Sequence, residues 1–233
     1  MIKSPINSSA DELLIGHRGA IRDALLKGGS DAATWKFFDA SADMIPIIDG
    51  GEVAWTAQSN VTTAVETTIK KTGAGSAKMT IAAGFSTGLI ATYDFTSIDL
   101  SSYDALVMWI RSDTTLASGV LQAVIDNTAA CATPLETLTI PALTANTWKL
   151  LCLPFSAGYA DGMDAVISVG LKAASDPGAI VVYADMITAV RQIGKTMNAP
   201  TTKGRNLGQK LEFQNGLYGV FSGTVPRGTV WPL

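Results

Sequence analysis

Histidine and cysteine are almost absent from this chain: His17 is the only histidine, and Cys131 and Cys152 are the only cysteines, in 233 residues. Zinc sites favour Cys/His spacings that do not occur here. A Ser-His-Asp or Cys-His mechanism would have to carry that one histidine from its own segment to a nucleophile. Two cysteines make no disulfide framework. They read as buried free thiols, in keeping with a reducing cytoplasm. Charge is also scarce, at 16% of residues, with 17 basic and 20 acidic side chains and a formal net charge of -3. A nucleic-acid binder needs a basic patch to neutralise phosphate. The only basic stretch holds Lys195, Lys203, Arg205 and Lys210, and it reads as a solvated linker. No apolar run reaches the ~18 residues that span a bilayer. The apolar N-terminal stretch is interrupted by Gly16, His17 and Arg18, which does not fit a signal peptide. No Walker-type phosphate loop is present.

What is present is apolar and β-branched. Apolar residues make up 47% of the chain, against the low hydrophobicity that disorder requires. Low charge beside this apolar content suggests surface covered by other subunits. Three zones are expected: an N-terminal arm (1–34), a sandwich (35–193) and a C-terminal extension (194–233). In the arm, Ser9 and Glu12 form a capping box, and Leu14, His17, Ile21 and Leu25 follow at helical spacing until Gly28–Gly29. Gly16 and Gly19 weaken that helix by up to ~1 kcal/mol each. In the middle, strands are expected at Val61–Ile69, Ala77–Ile81, Leu89–Phe95, Ala105–Arg111, Val120–Ile125, Thr137–Ile140, Trp148–Leu153, Val166–Leu171 and Ile180–Val190. No long amphipathic helix lies between them, so the pattern predicts an antiparallel sandwich rather than βαβ units. In the tail, Asn215–Gly216 between Lys210–Gln214 and Leu217–Phe221 predicts a β-hairpin.

Four stretches resemble the jelly rolls of carbohydrate-binding modules and galactose-binding-like domains. They are KTGAGSAKMTI (71–81), IDLSSYDALVMWIRSD (98–113), IPALTANTWKLLCLPF (140–155) and AVISVGLKAASDPGAIVVYADMITAV (165–190). The resemblance covers about two-thirds of the chain and implies a mainly β, antiparallel jelly-roll β-sandwich; fold alone does not fix function. It also implies a structural calcium, with Asp185 at the last-strand position and Glu66 as an earlier, looser ligand. The other reading is that Asp185 hydrogen-bonds a loop. The layout of arm, module and glycine-rich tail resembles that of tailed-bacteriophage virion proteins.

The search for chemistry finds little. Asp94, Asp99, Asp104, Asp113, Asp126, Asp161, Asp164 and Asp185 lie at strand ends and read as turn and cap residues. Glycosidases use two facing carboxylates, and nothing in the sequence says which two of these would face each other. Trp109 and Trp148 sit within apolar strands and read as core. Trp55, Tyr93 and Tyr159 remain as candidates for a sugar platform. The main expectation is therefore a non-enzymatic virion protein, assembled in the host cytoplasm and used for capsid decoration or at a head–tail or tail position. Its partners would be copies of itself and other virion proteins, with no nucleic acid and no membrane. The arm and the extension would latch neighbours through Leu14, Ile21, Leu25, Leu217, Tyr218, Phe221 and Trp231. The alternative is a carbohydrate-binding module or adhesin that recognises glycans with exposed, coplanar aromatics.

Overall fold

A computed structural model describes residues 48–156 and 162–191 with their side chains; elsewhere only strand backbones are described. The chain forms two units, Pro46–Ala189 and a second built from both ends, Met1–Ile45 with Val190–Leu233. The three expected zones are thus redrawn as two, because the strands of the arm pair with those of the extension.

The inner unit holds eleven strands: β1 (Ile47–Asp49), β2 (Thr56–Ala57), β3 (Val61–Glu66), β4 (Ser76–Ile81), β5 (Gly88–Ile98), β6 (Ala105–Ser112), β7 (Leu121–Asp126), β8 (Glu136–Thr139), β9 (Lys149–Pro154), β10 (Val166–Ala173) and β11 (Ile180–Val190). The first sheet runs β9-β6-β11-β4-β3, with β1 also on β11; the second runs β8-β7-β10-β5-β2. The pairings with a defined register are antiparallel. All nine expected central strands are present, and the sequence reading passed over only the short β1 and β2.

Period-two alternation builds the core. In β6, Leu106, Met108 and Ile110 are buried while Val107, Trp109 and Arg111 are half-buried. Leu151 and Leu153 of β9, Val182 and Ala184 of β11 and Ala77, Met79 and Ile81 of β4 join the same core. The second sheet contributes Leu121, Ala123, Ile125, Val169, Leu171 and Ala173. At one end, the Asp99 carboxylate accepts the Ser101 amide (2.8 Å) and hydroxyl (2.6 Å). This Asx turn drops Leu100 fully into the core. The Ser101 hydroxyl, then the amide, holds the Asp99 carboxyl below its ordinary value.

The outer side of the second sheet is closed by a short loop. Asp126 is fully buried and its carboxylate accepts the amides of Asn127 and Thr133, each at 2.8 Å. The loop carries Cys131 over Gly170, which lies opposite Val124 on one side and Thr92 on the other. A Cβ on Gly170 would meet Val124 Cγ2 at 2.9 Å, Cys131 Sγ at 3.1 Å and Thr92 Cγ2 at 3.2 Å. Gly170→Ala is therefore expected to overpack this layer and lower stability by ~1–3 kcal/mol in urea denaturation; an unchanged midpoint would contradict this packing. Neither cysteine is in a disulfide and both are buried, and burial pushes the Cys131 thiol up to about 11.

In the terminal unit, strands at Glu12–Ile15 and Gly19–Lys27 occupy the stretch where a helix was expected; its cap, Ser9, and its stop, Gly28–Gly29, lie outside the described residues. Gly19–Lys27 is flanked by Arg227–Pro232, Arg205–Asn206 and Leu211–Phe213. The turn of the expected C-terminal hairpin, Asn215–Gly216, also lies outside the described residues. Leu211–Phe213 and Leu217–Ser222 are strands, but the first pairs with Gly19–Lys27 and the second with Ala33–Asp39 and Glu12–Ile15.

Candidate ligand-binding face

The outer side of the first sheet carries the residues left over by the core alternation. Trp109 and Arg111 are two apart on β6, and Tyr183 and Asp185 are two apart on the neighbouring β11. The end of β6 is tied to the start of β11: the Val181 amide donates to the Asp113 carboxylate, and the Asp113 amide to the Val181 carbonyl, both at 3.0 Å. Across β11, Tyr183 stands opposite Lys78 of β4, which stands opposite Ala64 of β3. Across β6, Trp109 stands opposite Leu150 of β9.

Two loops complete the face. The first precedes β4 and is held by Asp185, which is fully buried. One Asp185 oxygen accepts the amides of Lys71 (2.6 Å) and Thr72 (3.0 Å); the other accepts the Thr72 hydroxyl (2.7 Å). Moored there, Lys71 places its ammonium 4.4 Å from the centre of the Trp109 ring. The second loop precedes β9. Asn146, at a positive φ of 60°, donates its amide to the Ser112 carbonyl (2.7 Å) and accepts the Arg111 guanidinium at Oδ1 (2.8 Å). The turn carries Trp148 to a tilted contact with Tyr183, 6.4 Å between ring centres, while the Arg111 guanidinium lies 5.2 Å from the Tyr183 ring centre. Both contacts are within the ~6 Å range of cation–π attraction. The result is an aromatic and cationic face drawn from three strands and two loops. Trp109 and Trp148 are thus half-buried members of this face rather than core residues.

The residues singled out as sugar contacts are placed differently. Trp55 is 3% exposed and packs in the core, and its indole N–H donates to the buried Asp49 carboxylate at 2.7 Å. Burial raises the Asp49 pKa, opposed by the Gly51 amide and the Trp55 indole. Tyr93 is half-buried and stacks between Trp55 (6.5 Å) and Phe95 (6.1 Å). Tyr93 and Phe95 line an open cavity of about 790 Å³ with Ile48, Asp94, Thr96, Ser97 and Ile98. Tyr159 lies outside the described residues. So do the side chains of Leu14, Ile21, Leu25, Leu217, Tyr218, Phe221 and Trp231, whose strand backbones alone are described.

Asp185 and Glu66 are each satisfied by protein donors. Asp185 takes up the Lys71–Thr72 loop, while Glu66 accepts the Thr68 amide at 2.9 Å and the Thr68 hydroxyl. Among the described residues, no three His, Cys, Asp or Glu side chains gather as a metal-binding group. The Thr68 hydroxyl, then its amide, pulls Glu66 down to about 2. A depressed carboxyl contributes stability that is complete above its ordinary value near ~4.3 and is lost as pH falls toward the folded value. Thr68→Val is expected to move the Glu66 titration, followed by carboxyl NMR, upward, with the Thr68 and Ile69 amides still holding it below the ordinary glutamate value. An unmoved titration would assign the depression to another group.

Gly84–Gly88 reads GFSTG, the letters of a nucleophile elbow. Such an elbow turns from a strand into a helix. Here the stretch connects β4, which ends at Ile81, to β5, which begins at Gly88, and Phe85 is buried in the core. The connection is a strand-to-strand loop.

No family model and no curated protein matches the sequence. Solved structures do share a likeness. One is the family 11 carbohydrate-binding module of a cellulosomal cellulase of Clostridium thermocellum, at 14% identity and a TM-score of 0.45 over 64% of this chain and 95% of that one. The family 30 carbohydrate-binding module gives 15% and 0.40 over 72% and 93%. The CBM22-1 xylan-binding domain from Paenibacillus barcinonensis gives 15% and 0.38 over 65% and 97%. With TM-scores below 0.5, the architecture and the site stand on this chain's own strands and side chains.

Proposed function

We propose that the inner unit is a non-catalytic glycan-binding module whose ligand lies on the outer side of the first sheet. The observation that carries this is the gathering of the half-buried Trp109 and Trp148 with Arg111, Lys71 and Lys78 around Tyr183, itself 5% exposed, on a side of the sheet that the core does not use. Aromatic rings offer apolar area with few rotamers to fix, which suits the C–H faces of a pyranose. Guanidinium, ammonium and amide groups beside them suit its oxygens. The face is broad and lies across strands, which fits a chain of sugars better than a single small molecule.

The virion reading rested on an arm and a tail acting as separate clasps. Strands of the two ends pair with each other, and the glycan reading is the one the face of the first sheet supports.

Affinity electrophoresis tests the proposal. The full chain is run through native gels cast with xylan, with mixed-linked β-glucan or with polygalacturonate. Retardation in at least one polysaccharide gel, relative to a plain gel, is expected; equal mobility in all of them contradicts it.

A further inference from the structure

We infer that the ligand of this face is an acidic polysaccharide carrying uronate carboxylates, an inference that rests on the glycan reading above. The chain as a whole is acidic, at -3, yet this face presents Lys71 and Arg111 beside the Lys78–Glu66 pair, with Glu52 accepting the Ala74 amide in the same loop as Lys71. Among the described residues, the single ion pair joins Lys78 to Glu66 at 3.5 Å, so neither Lys71 nor Arg111 has a carboxylate partner. The one acid on this side of β11, Asp185, is buried with both oxygens engaged by the Lys71–Thr72 loop, so its oxygens are not offered to an incoming ligand.

The two unpaired cations are held in place rather than trailing in solvent. Lys71 is fixed at its backbone by Asp185 and lies over Trp109; Arg111 is fixed by Asn146 and lies over Tyr183. A neutral sugar gains little from an ammonium lying over the ring on which it would stack. A uronate gains from both, because its carboxylate is borne on the pyranose itself and reaches the cation as the ring meets the aromatic. Charge-assisted contacts of this kind are about twice as strong as neutral ones. Two isolated cations suit a sparsely charged chain, whereas sulfated chains or nucleic acids, with denser charge, call for a longer basic strip.

The test compares polygalacturonate with the same polymer fully methyl-esterified, which keeps the backbone and caps each carboxylate, and with neutral xylan, in affinity electrophoresis of the full chain. Retention in polygalacturonate should fall about tenfold on esterification, and Lys71→Gln and Arg111→Gln should each weaken it about tenfold, the scale of one lost charged contact. Retention should also weaken from 50 to 300 mM salt, since exposed charges are screened. Melting curves of both variants matching the parent show that the fold is kept. Equal retention in the acid and its ester, or in xylan, overturns the acidic preference while leaving glycan binding standing. Single-stranded DNA displacing polygalacturonate at equal charge concentration also overturns it. Equal mobility in every gel overturns both readings together.

Discussion

Asp185→Ala is expected to lower the melting temperature by ~6–12 °C and to weaken glycan retention at the same time. The carboxylate is fully buried and accepts three hydrogen bonds from the Lys71–Thr72 loop. Removing it strands two amide donors and a hydroxyl, and a buried donor left unmatched costs about 1–3 kcal/mol. Water entering the gap recovers part of this, so a net loss of about 3 kcal/mol is expected, at roughly 2–4 °C per kcal/mol for a chain of this size. Asparagine is not a rescue, because its NH2 group would face donors rather than accept from them. The functional consequence follows from geometry: the loop that Asp185 holds is the loop that sets Lys71 over Trp109. An unchanged melting curve would show that the loop is held by other means. Wild-type retention in a destabilised variant would detach Lys71 from the site.

Trp109→Ala should have the opposite profile, with a large loss of binding and a small loss of stability. The side chain lies outside the buried core, and its cross-strand neighbour Leu150 and the flanking Val107 and Arg111 are themselves half-buried. Truncation leaves no closed cavity, so the several-kcal/mol penalty of core deletions does not apply. At the platform, loss of a central aromatic removes about 1.5–3 kcal/mol of contact, more than tenfold in retention. Trp55→Ala is the matched control. That ring is in the core and bonded to Asp49, so it should destabilise strongly, and any effect on binding should scale with unfolding. If Trp109→Ala binds as the parent does, the ligand lies elsewhere, and the cavity beside Tyr93 and Phe95 becomes the site to test.

The central strands are legible because each carries its own local signal: β-branched and apolar runs between Gly, Asp and Ser turns. The two ends carry no such signal for their true partners. Leu14, Ile21 and Leu25 are spaced for a helix, and Asn215–Gly216 is placed for a hairpin, yet the strands there pair with segments about 200 positions away in sequence. Local propensity cannot report such non-local pairing.

Trp109 teaches a sharper lesson. Embedded in Leu106–Ile110, it reads as core by composition. Alternation says otherwise: Arg111 cannot face an apolar core, so Trp109, two residues earlier on the same strand, faces solvent with it. Tyr183 and Asp185, two apart on β11, lie on that same side but are themselves covered, at 5% and 0% exposed. Tyr93 is visible as an aromatic in an expected strand and Trp55 as one ahead of the first, but their burial depends on Asp49 and on the second sheet, which no spacing reveals.

The most direct test of the account is amide and indole chemical-shift mapping of the isotope-labelled full chain titrated with short galacturonate oligomers. Binding at the outer side of the first sheet predicts shifts at the Trp109 and Trp148 indoles, at Lys71–Thr72 and Asn146, and at Tyr183, with the Trp55 indole and the Cys131 loop unmoved. Shifts clustered instead around Tyr93 and Phe95, or no shifts at saturating oligomer, would contradict it.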